Sequence, residues 1–284
     1  MINNINKIIL TDTKVYISEI IALTNNYNSP KINDYLITNY LMESAFLKMI
    51  GAIEQKLAHL KWYIGLYDFD TRREIVKDID IQPTNIKVLT KAYNIFMDKL
   101  SDLNCNWLNL NPKNIWNNNE HQYKALREVI KLFRKSSIIH NTDSAYILFK
   151  KNNPLFFLKQ LKRLEKKRKN QKNNQKQLNT KISDMHKLYN ASWIRVKGKG
   201  TELKNCTDEK AAKFLEVCYE NTMTYRHSIA HNIPSAKSNL TTIQDLSSEK
   251  KTYENYYFRF FIIIYIDLII QDIFRQYSGA KLVL

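Results

Sequence analysis

Glycine and proline are scarce, five of each in 284 residues. That leaves little material for the tight turns of a β-rich chain and favours long helices built from Leu, Ile, Lys, Gln and Glu. Cysteine is scarcer still. Cys105, Cys206 and Cys218 are an odd number with no short paired spacing, which argues against both a disulfide framework and a zinc site. The opening MINNINKIILTDTK lacks the apolar stretch and small-residue cleavage site of a secretory signal, so a reducing cytoplasm is the expected location. Long hydrophobic runs are missing too. The continuous one, Phe260–Ile266, is bounded by Arg259 and Asp267 and falls short of the roughly 18 to 20 apolar residues that span a bilayer. The expectation is no membrane span, and a helix that is a core element or a subunit interface. Acidic residues are outnumbered, 27 against 44 Lys and Arg, for a net charge of +17. Such a chain is drawn to polyanions, nucleic acid first and anionic membrane surface second.

What is present is helical periodicity. Over 33–64, Leu36, Tyr40, Leu47, Ile50, Ile53, Leu57, Leu60 and Ile64 recur at three and four, which predicts one long amphipathic helix. The same spacing predicts helices over about 84–102 and about 119–138, with the Asn-rich NLNPKNIWNNN as a loop between them. A further helix is expected from Asp208, with Thr207 as N-cap, through DEKAAKFLEVCYENTMTYRHSIAHN. Asn232 suits its C-cap, and Pro234 lies two positions beyond. A polar loop and a last helix over about 250–276 follow. The fold class expected is all-α.

Residues 150–204 stand apart, with 17 Lys or Arg against three acids, Glu165, Asp184 and Glu202. That difference, 17 − 3 = 14, accounts for most of the chain's +17. The segment reads as a solvated helix extension or flexible insertion, or as a basic arm that neutralises phosphates without reading sequence. Lys162, Arg163, Lys166, Lys167, Arg168 and Lys169 are its densest cluster and the candidate RNA contacts.

Chemistry concentrates at Tyr225-Arg226-His227-Ser228-Ile229-Ala230-His231-Asn232, which holds two of the six histidines. On a regular helix positions 226 and 231 point about 140° apart, so they converge only if the helix ends between them or a second subunit closes the site. RNA carries its own nucleophile, the ribose 2′-OH. Its cleavage needs a group of near-neutral pKa to move protons and a fixed cation for the developing phosphorane charge. Histidine suits the first task and arginine, with its planar fork, the second. The sequence has no HExxH, CxxC, GxGxxG or GxxxxGK[ST] pattern, so metal and nucleotide-hydrolase readings have little to stand on and no cofactor is expected.

The Arg226…His231 spacing resembles the R-x4-6-H signature of the HEPN superfamily, with the motif closing one helix and an apolar helix following it. MESAFLKMIGAIEQKL, with Glu43 followed by Phe46, Leu47 and Lys48, is similar to the first helix of larger HEPN domains. The resemblance implies a dimerising helical bundle formed by residues 1–149 and 205–284, with 150–204 as a basic insertion. It also implies a metal-independent endoribonuclease leaving a 2′,3′-cyclic phosphate and a 5′-OH, of the kind found as toxins or in abortive-infection and other antiviral defence, where an antitoxin or defence protein is a natural partner. By position, Arg226 would bind phosphate, His231 would be the general acid or base, and His227 would tune the site or contact RNA, beside Asn232. Glu43 is either a helper or a solvated helix carboxylate. Position 233 is Ile rather than Tyr, which departs from members regulated through a tyrosine there.

A second pair, Arg134 and His140 in FRKSSIIHN, also falls within the R-x4-6-H spacing. It is a degenerate second motif, a supporting RNA contact, or chance. Two other readings compete with the ribonuclease: a non-catalytic HEPN-type RNA-binding or complex-forming module, and a protein held on anionic lipid by its basic arm.

Overall fold

The computed structural model describes residues 2–25, 33–66, 69, 73, 119–134, 136–138, 146, 147, 149, 163, 164, 166, 167, 175–183, 219, 220, 222–227, 229 and 256–281. Among these the regular elements are all α-helical. They are α1 (Ile2–Leu10), α2 (Val15–Asn25), α3 (Asn33–Gly65), α4 (Asn119–Phe133) and α5 (Tyr256–Lys281). The helix expected over 84–102, the Thr207 start and the Asn232 cap lie outside the described residues.

α3 forms where the three-and-four periodicity places it. Met42, Ala45, Phe46, Met49, Ile50, Ile53, Leu57 and Leu60 line its buried side. Gly51 interrupts its middle, and a Cβ there would meet nothing within 4 Å. A helical glycine costs about 0.5–1 kcal/mol relative to alanine. Gly51→Ala is therefore expected to raise the urea midpoint by a corresponding amount with the m-value unchanged.

α5 is the centre of the bundle, packed against α3, α4 and α1. Its sequence is apolar on nearly every side, and so are its surroundings, since Tyr256 through Asp267 are buried without exception. Phe133 of α4 meets the edge of Tyr257 at 4.8 Å and stacks on Phe260 at 5.8 Å between ring centroids. Phe149 makes an edge contact with Phe258 at 4.9 Å. Such aromatic pairs add to what burial alone contributes. No helix among the described residues is long and apolar enough to cross a membrane.

The periodicity of 119–138 predicts one helix, but α4 stops at Phe133. The cause is Ser136-Ser137. The Ser136 hydroxyl accepts the Ile138 N–H at 3.2 Å, in the manner of an N-cap, and the Ser137 N–H turns to the Asn25 side chain at 2.9 Å. The Ser136 hydroxyl and the Asn25 side chain each offer the backbone an alternative to the helical ladder. Arg134 is left exposed on the turn.

The α1–α2 turn, Asp12-Thr13-Lys14, is a polar clasp on three helices. The Thr13 N–H and hydroxyl donate to Asp267 Oδ2 of α5 at 2.8 and 2.9 Å. Gln271 Nε2 donates to Asp12 Oδ1 at 2.9 Å, and Lys14 pairs with Glu128 of α4 at 3.3 Å. Lys56 of α3 completes the set, donating to Asp267 Oδ1 and to the Thr11 carbonyl. Lys56 and Asp267 are 2% and 3% exposed, so this is a desolvated ion pair whose remaining lone pairs are taken up by neutral donors.

Part of the clasp titrates. Burial opposes the charge of Asp12, but hydrogen bonds from Gln271 and Lys14 and the charges of Lys14 and Lys56 outweigh it and hold the carboxyl below its usual 3.8. Burial likewise opposes the Lys14 ammonium, and Asp12 and Glu128 outweigh it and hold the group above its usual 10.5. A lowered carboxylate stabilises the fold fully above its unfolded pKa, and that contribution disappears as pH falls through the folded value. A raised ammonium stabilises it fully below its unfolded pKa, and that contribution disappears as pH rises through the folded value. Asp12→Asn is therefore expected to destabilise at neutral pH. The difference from wild type should shrink toward zero as urea titrations are carried from about pH 5 to about pH 2. A pH-independent difference would show that the Asp12 charge plays no part.

The basic segment is not wholly solvated. Residues 175–183 are helical, with Leu178 and Ile182, one turn apart, each 7% exposed. Ile182 joins the main core and Leu164 packs against it. Arg163, Lys166 and Lys167 are exposed.

Candidate active site around Arg226

Residues 219, 220, 222–227 and 229 are helical and pack on α3 and α5. The buried positions are Tyr219, Thr222 and Tyr225, a stripe at spacings of three. Tyr225 packs against Phe46 of α3, with ring centroids 5.4 Å apart.

Tyr225 is fixed from two sides. Its hydroxyl shares a 2.7 Å hydrogen bond with that of Tyr256, and the rings meet edge-on at 6.0 Å. The Arg259 guanidinium, buried at 3% exposure, lies 3.3 Å from the Tyr225 ring centroid and 5.3 Å from that of Tyr256. A desolvated cation over aromatic faces is a strong contact of this class. The two charges that interrupt the apolar run of α5 therefore both point inward. Asp267 holds the α1–α2 turn and α3, and Arg259 holds the motif helix.

One position on from Tyr225, Arg226 turns toward α3. Its Nη2 donates to Glu54 Oε2 at 3.2 Å. The side chains are 30% and 21% exposed, so the pair sits at the edge of the core with the guanidinium reaching solvent. Glu54 Oε1 is buried with no hydrogen-bond partner.

The carboxylate facing Arg226 is thus Glu54, not Glu43. Glu43 lies eleven residues earlier on α3. Eleven residues return a helix to within about 20° of the same face, about 16 Å along its axis. Glu43 is half-buried near the Tyr225–Tyr256 pair.

The tyrosines around the motif cannot serve as bases near neutral pH. Burial, then the Glu54 charge, pushes the Tyr219 phenol far up. Burial also raises Tyr225, with Glu43 adding to the rise and Arg259 and the Tyr256 hydrogen bond opposing it. Tyr256 is pushed well above its ordinary value by burial and by Tyr225. All three are held toward the protonated form near neutral pH.

His227 is exposed. His231, Asn232 and His140 lie outside the described residues, as do Lys162, Arg168 and Lys169. Among the described residues no three His, Cys, Asp or Glu side chains gather closely enough to hold a metal ion. No family model, curated protein or solved structure matches the chain.

Glu54 was open to detection in the sequence only as one more carboxylate on α3. Its distinguishing feature is a cation 172 positions away in the chain.

Proposed function

We propose that the chain is a metal-independent endoribonuclease with a HEPN-like helical bundle, working as a dimer whose two motifs share a cleft. The observation that carries this reading is the setting of Arg226. It is a guanidinium at the rim of the core, held by one carboxylate on a rigid helix and open to solvent on its other side. A planar fork in that setting can take phosphate oxygens. Exposed Arg163, Lys166 and Lys167 on a chain of net charge +17 support an RNA substrate.

In this reading the 2′-OH attacks the adjacent phosphorus and the 5′-oxygen leaves. His231 moves the proton, and Arg226 stabilises the phosphorane. His227 and Asn232 contact RNA or tune the site. A toxin or antiviral-defence role in the cytoplasm, restrained by an antitoxin or partner protein, is the biological setting that follows from the resemblance. The test is end-chemistry mapping of RNA incubated with the protein in EDTA. A 2′,3′-cyclic phosphate and a 5′-OH that depend on Arg226 and His231 are the expected products. Salt-dependent RNA binding without cleavage would replace this reading with a non-catalytic RNA-binding module.

A further inference from the structure

We infer that Glu54 is a positioning residue for Arg226, setting the orientation and the effective charge of the guanidinium that receives a phosphodiester. The inference rests on the ribonuclease reading and adds to it the residue that makes Arg226 selective for a phosphate in one pose.

The geometry is that of a support rather than a clamp. A structural Arg–carboxylate pair is often bidentate, two parallel N–H···O bonds that occupy one edge of the fork. Here one carboxylate oxygen meets one terminal nitrogen at 3.2 Å. Nη1 and Nε have no partner among the described residues, and Nη2 has a second N–H, so one fork, Nη2 with either Nη1 or Nε, is left to meet two phosphate oxygens. The other carboxylate oxygen is buried and unpaired. Leaving such an acceptor unsatisfied is costly, so an arrangement that retains it calls for an explanation beyond stability.

Glu54 is also well placed to be rigid. Ile53 and Leu57 on either side of it are 2% and 5% exposed, and Lys56 is bound into the clasp on Asp267. The long arginine side chain, with its many rotamers, is thereby tied to a helix that cannot shift independently of the core. Pre-organisation of this kind raises the rate of a step whose geometry is demanding more than it raises binding.

Glu54 has a second effect that makes the inference testable. Its negative charge cancels part of the positive field that draws in RNA. Glu54→Gln keeps the shape and removes the charge. The expected result is a split. Affinity for RNA should rise about two- to five-fold at low salt, with the gain fading as salt screens it. The turnover number should fall about ten-fold or more as Arg226 loses its fixed pose. A merely structural Glu54 would lower the melting temperature and reduce the active fraction without tightening binding.

The affinity arm uses an oligonucleotide with 2′-deoxyribose throughout, which cannot be cut by 2′-OH attack. Arg226→Ala should weaken its binding and Glu54→Gln should tighten it, with folding of each variant checked by circular dichroism. If Glu54→Gln alters neither this affinity nor turnover, or if the oligonucleotide binds equally well without Arg226, the inference is overturned. If the affinity shift appears but wild type cuts no RNA, the ribonuclease reading falls while the control of Arg226 by Glu54 stands. A cutting enzyme whose turnover survives Glu54→Gln leaves the ribonuclease reading intact and removes Glu54 from it.

Discussion

Replacing Lys56 by methionine is expected to lower the unfolding free energy by about 3–5 kcal/mol, a large part of what holds an ordinary domain together. Methionine fits the volume, so the loss is not one of packing. It arises because Asp267, 3% exposed, would lose its ion-pair partner in a desolvated site and be left with neutral donors, the Thr13 N–H, the Thr13 hydroxyl and Gln271. Asp267→Asn produces the mirror case, an ammonium 2% exposed that has lost its ion-pair partner. The clasp joins the α1–α2 turn, α3 and α5, so either change should loosen all three together and keep unfolding a single transition. Urea denaturation followed by circular dichroism measures the loss. Lys7→Met, at an exposed position of α1, serves as the control and should change stability by about 0.5 kcal/mol or less. If the Lys56 and Asp267 variants melt with the control, the buried pair is not what fastens these helices.

The second large effect is on activity. His231→Ala should reduce RNA cleavage by about 10²–10⁴-fold, the usual range for removing a general acid or base. Arg226→Ala should cost about 10²–10³-fold, as expected when a fixed donor no longer meets the developing phosphorane charge. The two losses should not add in the double variant, because both groups serve one transition state. Cleavage should persist in EDTA and stop when the nucleotide 5′ to the cut carries 2′-deoxyribose. His227→Ala, an exposed neighbour, should have a milder effect than either. Equal cleavage by wild type and the His231 variant would remove the ribonuclease assignment, and it would do so irrespective of stability, which circular dichroism tracks separately.

α3 shows what periodicity delivers. The apolar spacing over 33–64 names the helix, and Asn33–Gly65 is where it runs. α5 shows the same for composition, since a helix apolar on nearly every side is a core element or a subunit interface, and here it is buried among α3, α4 and α1. The end of α4 shows where the pattern misleads. The apolar spacing continues through Ile138, but the Ser136 hydroxyl and the Asn25 side chain take the backbone N–H groups of Ile138 and Ser137, and the helix stops at Phe133. The stripe of the motif helix is a third case. Thr222 is polar and Tyr219 carries a hydroxyl, yet both are buried.

By itself the sequence determined the all-helical character of the described residues, the central place of the last helix, the strongly basic charge and the presence of an Arg and a His at a suggestive spacing. Only the tertiary structure decided that Arg226 faces Glu54, that Glu43 lies by a tyrosine pair, and that Lys56 finds Asp267 across 211 positions of chain. The reason is physical. Helix formation is governed by neighbours three and four apart, which a sequence displays directly, whereas the choice among many carboxylates for one guanidinium depends on which helix faces pack together and on which charges lose their water in doing so.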